Sequence, residues 1–335
     1  MIGFGMASTH ASGMFCPIEV WPRIYDAMPD YMKGSQPHTA KLETEDVIAS
    51  YKRRGDAAFE FMRRRLRDYK PDAVVIVGDD QGDLFNLGNN PALSVFVGKE
   101  VWGSYAPIYL QQHLNQSPAD SLIHIPVHSE LANYLLKGLI KRGFDAASSN
   151  VCDPQGPNRK LGVSHAVVRP MPKVIPELDI PIVPVFLNEY FPPLPTGRRC
   201  WELGQAIAEI CAQRPERVAI WASGGLSHDN QGPRAGWVDE PLDRWVLERV
   251  EQNRGEELVN LFTFDSAALR GGTGEIRSWI VVAGACRWKA VVLDYIPSSR
   301  AKTGLGWAYW PSEWGPERAL LHAGADGPAP YHRPD

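Results

Sequence analysis

The stretch Ala73-Val74-Val75-Ile76-Val77 is an unbroken apolar run, β-branched in all but its first residue, and Gly78 stops it. A run without polar alternation reads as a strand buried on both faces, the kind found in sheets covered by helices above and below. Thr44–Tyr69, just before it, has the length and periodicity of a long helix, with Pro71 beyond its end.

The same alternation continues in both directions. Ile2–Ala7 reads as a short buried strand, Leu93–Val97 is another short apolar run, Ser129–Arg142 reads as a helix with Gly143 at its C-cap, and Arg199–Gln213 as a helix. Ile180–Leu187 reads as a strand that Pro181 and Pro184 push toward a sheet edge or a bulge. Arg217–Ala222 is a strand, Leu242–Val259 is largely helical, and Thr273 caps a helix over Gly274–Ala283. Ala290–Tyr295 is the last clear strand. The pattern predicts an α/β fold: a single layered domain with a central mixed sheet flanked by helices, in which function gathers in loops at strand ends.

Its 335 residues are compatible with one core, since α/β enzymes of about 250 residues or more often form a single domain. The Pro-rich loop Phe191–Gly197 is too short to separate domains. The expected division is therefore a catalytic domain over 1–314 and an extended tail over 315–335, free or lying on a partner subunit.

Net charge is −4 with both signs interleaved, and the one basic run, Arg63-Arg64-Arg65 with Arg67, falls on a helix as a solvated face; this argues against nucleic acid. No window approaches the roughly 18 apolar residues of a membrane span, and the N-terminus lacks a charged n-region. The 5 cysteines form no CxxC pair, so reduced thiols and a cytoplasmic location are expected.

Three loop positions bring metal-ligand or acid/base side chains next to a strand end or a helix start. His10 follows the first strand, His228 follows the turn Ser223-Gly224-Gly225, and Glu275 opens the helix after Gly271-Gly272-Thr273-Gly274. A carboxylate near a helix N-terminus is stabilised as an anion. Two histidines and one carboxylate form the donor set of non-haem iron(II) oxygenases. Spacing alone leaves open that the histidines cap loops and the glutamate caps a helix.

Trp221 through His228, followed by Asp229 through Gly236, resembles the catalytic-histidine loop of the protocatechuate 4,5-dioxygenase catalytic subunit, a class III extradiol ring-cleavage dioxygenase. Ser8-Thr9-His10 is similar to that family's first metal-histidine loop, and Gly274 through Trp279 to its metal-glutamate helix. Pro181–Asn188 with Gly197–Cys200, and Asp294–Ser299, resemble further family segments. The likeness covers about residues 1–310 and is nearest the 3-O-methylgallate dioxygenase branch.

The resemblance implies the class III extradiol fold and cleavage of a catechol-like ring, of gallate, methylgallate or protocatechuate type, by Fe(2+) and O2. It makes His10 and Glu275 iron ligands and His228 the acid/base that handles the catechol proton. Ser298, Ser299, Arg300 and Lys302 become candidates for holding a ring substituent such as a carboxylate. It also implies a homodimer, with a small accessory subunit as a possible partner.

In one place the chain departs from the pattern. Protocatechuate-type enzymes carry Asp-His after the second strand, and the histidine is an iron ligand; this chain reads Gly78-Asp79-Asp80-Gln81. Gln81 offers only a neutral amide, a weaker donor than imidazole. Three outcomes stay open: Gln81 coordinates directly or through water; Asp79, Asp80, His165 or His38 completes the site; or the site is metal-poor and the chain is an altered, non-catalytic member. His165, in a loop resembling one of the methylgallate branch, is a catalytic candidate on the substrate or O2 side, or else a histidine tying two loops together. A metal-dependent hydrolase on the same scaffold is a further alternative.

Overall fold

The computed structural model of the chain describes residues 1–28, 30, 38–107, 115–229 and 234–312. The tail expected over 315–335 lies outside the described residues.

Among the described residues the framework is an 8-stranded mixed sheet. Its strands are β1 (Ile2–Ser8), β2 (Ala73–Asp79), β3 (Leu93–Phe96), β6 (Ala147–Ser149), β7 (Ile182–Leu187), β8 (Val218–Ser223), β9 (Val291–Ser298) and β10 (Thr303–Trp310), in the order β6-β3-β7-β2-β8-β1-β10-β9. The four central strands β7, β2, β8 and β1 run parallel, while β10 and β9 extend the sheet antiparallel. A separate antiparallel pair is formed by β4 (Glu100–Ser104) and β5 (Leu122–Pro126).

Along β2 the side chains alternate between two cores. Val75 and Val77 face a cluster with Leu135, Ile207, Trp279 and Ile280, from the helices Ser129–Lys141, Gly197–Cys211 and Ile276–Cys286. Val74 and Ile76 face Phe59 and Met62 of the helix Glu45–Tyr69, together with Trp221 and Trp307. The all-apolar run is thus explained: both faces of β2 are dry, each buried valine or isoleucine contributing about 1.5–3 kcal/mol. Among the described residues no helix is long and apolar enough to cross a membrane, and none of the five cysteines forms a disulfide.

Three expectations need correction. β7 lies inside the sheet, between β3 and β2, despite its prolines. The ladder to β3 stops at Val185, so Pro184 stands where only one neighbouring strand pairs. Thr273 does not cap a helix: residues Gly271–Glu275 form a 3₁₀ turn, the α-helix starts at Ile276, and the Thr273 hydroxyl pairs with the backbone of His228. The helix expected over Leu242–Val259 is a helix over Glu240–Glu251 and a 3₁₀ segment over Gly255–Asn260.

The chain also holds a strand that its composition conceals. β10 reads Thr-Gly-Leu-Gly-Trp-Ala-Tyr-Trp, and glycine is poor in strands. Here the glycine is required: a Cβ on Gly304 would overlap the carboxylate of Asp243.

Candidate metal centre and active site

The parallel strands end at one edge; His10, Gln81, Glu189, Tyr190 and His228 follow those ends, while His165 and Glu275 join them from the turn His165–Val168 and from the start of the helix Ile276–Cys286. Register places Ser8 beside Ser223, Gly78 beside Ser223 and Asp79 beside Leu187. The segments leaving β1, β2, β8 and β7 therefore meet, as expected for an α/β sheet whose ligands bind at the carboxyl ends of its strands.

His10, buried, anchors its ring through Nδ1 to Ser223 Oγ at 3.2 Å. Its other nitrogen, Nε2, stands 3.4 Å from Glu275 Oε2 and 3.9 Å from Asp79 Oδ1. Glu275, fully buried, accepts from the Gly225 N–H at 2.5 Å, from the Tyr190 hydroxyl at 2.5 Å and from the Gln81 amide at 3.3 Å. Burial alone would raise its pKa, but the charges of His10 and His228 outweigh that and hold it well below the usual carboxylate range.

His228 is buried as well. Its Nδ1 donates to the Leu226 carbonyl at 2.9 Å, which leaves Nε2 facing Glu275 Oε1 at 3.3 Å and the Tyr190 hydroxyl at 3.3 Å. Burial pulls its pKa down, yet the Glu275 charge and hydrogen bond, with the Leu226 carbonyl, leave it raised overall. Gly272 is obligatory here, because a Cβ would overlap Nε2 of His228.

On the far side of His10 stands His165, at the start of the short turn His165–Val168. The two rings meet edge to face, with centroids 4.8 Å apart. Ligand atoms of His10, Asp79 and His165 all lie within 4.8 Å of one another. Burial lowers the His165 pKa to about 4, so the ring is neutral at pH 7.

The arrangement fits a divalent cation. Asp79 is fully buried, and neither of its carboxylate oxygens has a hydrogen-bond partner. Burial, then the charges of Glu275 and Asp83, raise its pKa well above normal. Glu189, also buried, is raised by burial and by the charges of Asp79 and Glu275, and only its Oε1 is satisfied, by Ser278 at 2.9 Å. Three buried carboxylates stand beside three imidazoles, and two of those carboxylates, Asp79 and Glu189, are hard to ionise without a cation to offset their burial.

The other predicted residues are placed differently. Asp80 accepts from the Leu84 and Phe85 N–H groups at 2.8 and 3.0 Å and so caps its own loop. His38 is exposed and stands outside the cluster. Ser298 Oγ, Ser299 N and Arg300 N all donate to the buried carboxylate of Glu43, at 3.0, 2.6 and 3.0 Å. Lys302 is buried, with Nζ 3.0 Å from Met28 Sδ; burial lowers its pKa to about 8, opposed by the charge of Asp229, next to His228 in sequence.

Sequence reasoning missed Glu189 and Tyr190. Both follow β7, and the only available signal was two ionisable residues just beyond a strand end.

The chain matches the family described as the catalytic LigB subunit of aromatic ring-opening dioxygenase across residues 31–305. It belongs to that family. Among curated relatives, a 2,3-dihydroxyphenylpropionate/2,3-dihydroxicinnamic acid 1,2-dioxygenase of Klebsiella pneumoniae is 29% identical over 73% of this chain and 87% of that protein. A protein of the same name from Photorhabdus laumondii is 27% identical over 56% of this chain and 53% of that protein. Gallate dioxygenase of Pseudomonas putida is 29% identical over 47% of this chain and 45% of that protein. The match thus spans only about half the length of some relatives. A solved structure of an uncharacterized Escherichia coli K12 protein aligns with a TM-score of 0.48 and 15% identity, over 76% of this chain and 91% of that chain.

Proposed function

We propose that this member of the LigB family is an iron(II)-dependent extradiol dioxygenase that opens a catechol-type ring bearing a carboxylate. The observation that carries the reading is the 3.4 Å approach of His10 Nε2 to Glu275 Oε2, beside the unpartnered carboxylate of Asp79. His10 and Glu275 would hold the ion, and the cluster on the Asp79 side completes its shell. When bound, ferrous iron supplies open positions and the one-electron chemistry that lets O2 react with a closed-shell ring.

The protein's own part is proton handling and positioning. His228 has Nδ1–H fixed by the Leu226 carbonyl, so in its neutral form Nε2 carries the lone pair that faces the site. It can accept a proton from a substrate hydroxyl and return it later. Tyr190 stays protonated, because burial and the neighbouring Glu275 charge raise its pKa well above normal. Its hydroxyl donates to Glu275 and keeps that carboxylate aimed.

The relatives' names support the substrate class: dihydroxyphenylpropionate and gallate both carry adjacent hydroxyls and a carboxylate. With Ser298, Ser299 and Arg300 turned onto Glu43, we assign recognition of that carboxylate to Lys302. The test is turnover of gallate, protocatechuate and 2,3-dihydroxyphenylpropionate under 18O2. The proposal expects one O2 consumed per ring opened and both labelled atoms in the product. Product oxygen drawn from water, without O2 uptake, would identify a hydrolase instead.

A further inference from the structure

We infer that His165 supplies the second imidazole to the ion held by His10 and Glu275, and that Gln81 is not a ligand. The inference rests on the proposed iron site and specifies its composition.

The loop carrying His165 is tied to the end of β2 at the cluster. Ser164 Oγ donates to the Asp79 carbonyl at 2.7 Å, which fixes the next residue beside Asp79 and His10. The His165 ring stands at 83° to that of His10 with centroids 4.8 Å apart, so the two imidazoles are in edge-to-face contact. Together with Asp79 the two histidines already form a group with ligand atoms within 4.8 Å.

A second relationship decides which nitrogen is available. Asp83 Oδ2 lies 3.1 Å from His165 Nδ1 and also accepts the His165 backbone N–H at 3.4 Å. A carboxylate acceptor assigns the proton to Nδ1 and leaves the Nε2 lone pair free for a cation. A carboxylate behind an imidazole in this way is the usual support of a metal-bound histidine.

Gln81 has the opposite polarity. Its amide nitrogen donates to Glu275 Oε1 at 3.3 Å, and turning the amide over would set two oxygens against each other. The side chain therefore acts as a donor that steadies Glu275. The resulting set of His10, His165 and Glu275, with Asp79 adjacent, has the two-imidazole, one-carboxylate composition that leaves open positions for substrates.

The test is metal binding to the full chain, read without turnover. Wild type, His165→Ala, Asp83→Asn and Gln81→Leu are titrated anaerobically with Fe(II) and with Co(II). Asp83→Asn should weaken binding by about 10–100-fold, the usual effect of removing a carboxylate behind a metal-bound histidine. His165→Ala should weaken it further, and Gln81→Leu, which removes a donor to Glu275 and no ligand, should weaken it less than Asp83→Asn does. Proton NMR of Co(II)-loaded wild type gives a second readout that does not depend on a variant folding. Two exchangeable, hyperfine-shifted imidazole N–H signals are expected. One signal in wild type, or a His165→Ala variant that binds as tightly as wild type, overturns the assignment while the iron site stands. A wild-type chain that binds neither ion overturns the iron site and this assignment together.

Discussion

Tyr190 donates its phenolic hydrogen to Glu275 Oε1 at 2.5 Å, while the same oxygen lies 3.3 Å from Nε2 of His228. One hydroxyl thus bridges the residue assigned to the metal and the residue assigned to the proton. A hydrogen bond to a charged group contributes about 1.5–3 kcal/mol. Tyr190→Phe is therefore expected to lower kcat roughly tenfold to a hundredfold with iron content retained. A variant with unchanged kcat would show that the hydroxyl takes no part.

His228→Phe separates proton transfer from metal binding. The aromatic ring fills the same space, and the ion should be retained close to one equivalent. Turnover should fall by about 10²-fold or more, the scale of removing a general acid/base. Iron loss in step with activity would instead make His228 a ligand.

Glu275→Ala removes the anion on which Gly225, Tyr190 and Gln81 converge. Purified under anaerobic conditions, it should retain no iron. A fully loaded, active Glu275→Ala protein would refute the assignment.

The metal-free protein should be acid-sensitive through His165. Its pKa falls from an ordinary 6.5 to about 4 on folding, chiefly by burial. Between these values the folded state binds fewer protons than the unfolded one, so stability falls as pH drops from 6.5 toward 4. Asp83 acts in the same direction: burial opposes it, but the bond to His165 lowers its pKa, so its contribution is also lost on acidification. Denaturant midpoints of the apo-protein at pH 7, 6, 5 and 4 should decline, and less steeply in His165→Phe. Equal slopes in the two proteins would remove His165 from the explanation.

Much of this was legible in the chain itself. The dry run Ala73–Val77 disclosed a sheet covered on both faces, and the histidine and glutamate loops pointed to the edge where His10, His228 and Glu275 come together. What escaped was set by three-dimensional proximity. β10 hides behind two glycines, and the need they meet, room for the Asp243 carboxylate at Gly304 and for Leu226 at Gly306, exists only after folding. Pro184 signals an edge strand by local rules, but the short ladder of β3 spares it a second partner. Glu189 and Tyr190 follow that same strand and share its obscurity. Ser298 through Arg300 present the donors expected for a carboxylate, but the carboxylate they bind is Glu43, more than 250 positions away in sequence.

The account's central claim is met most directly by anomalous diffraction at the iron edge from crystals loaded with Fe(II) under anaerobic conditions. A single peak within bonding distance of both His10 Nε2 and Glu275 is the predicted result. Stoichiometric iron with its peak elsewhere in the molecule would contradict it.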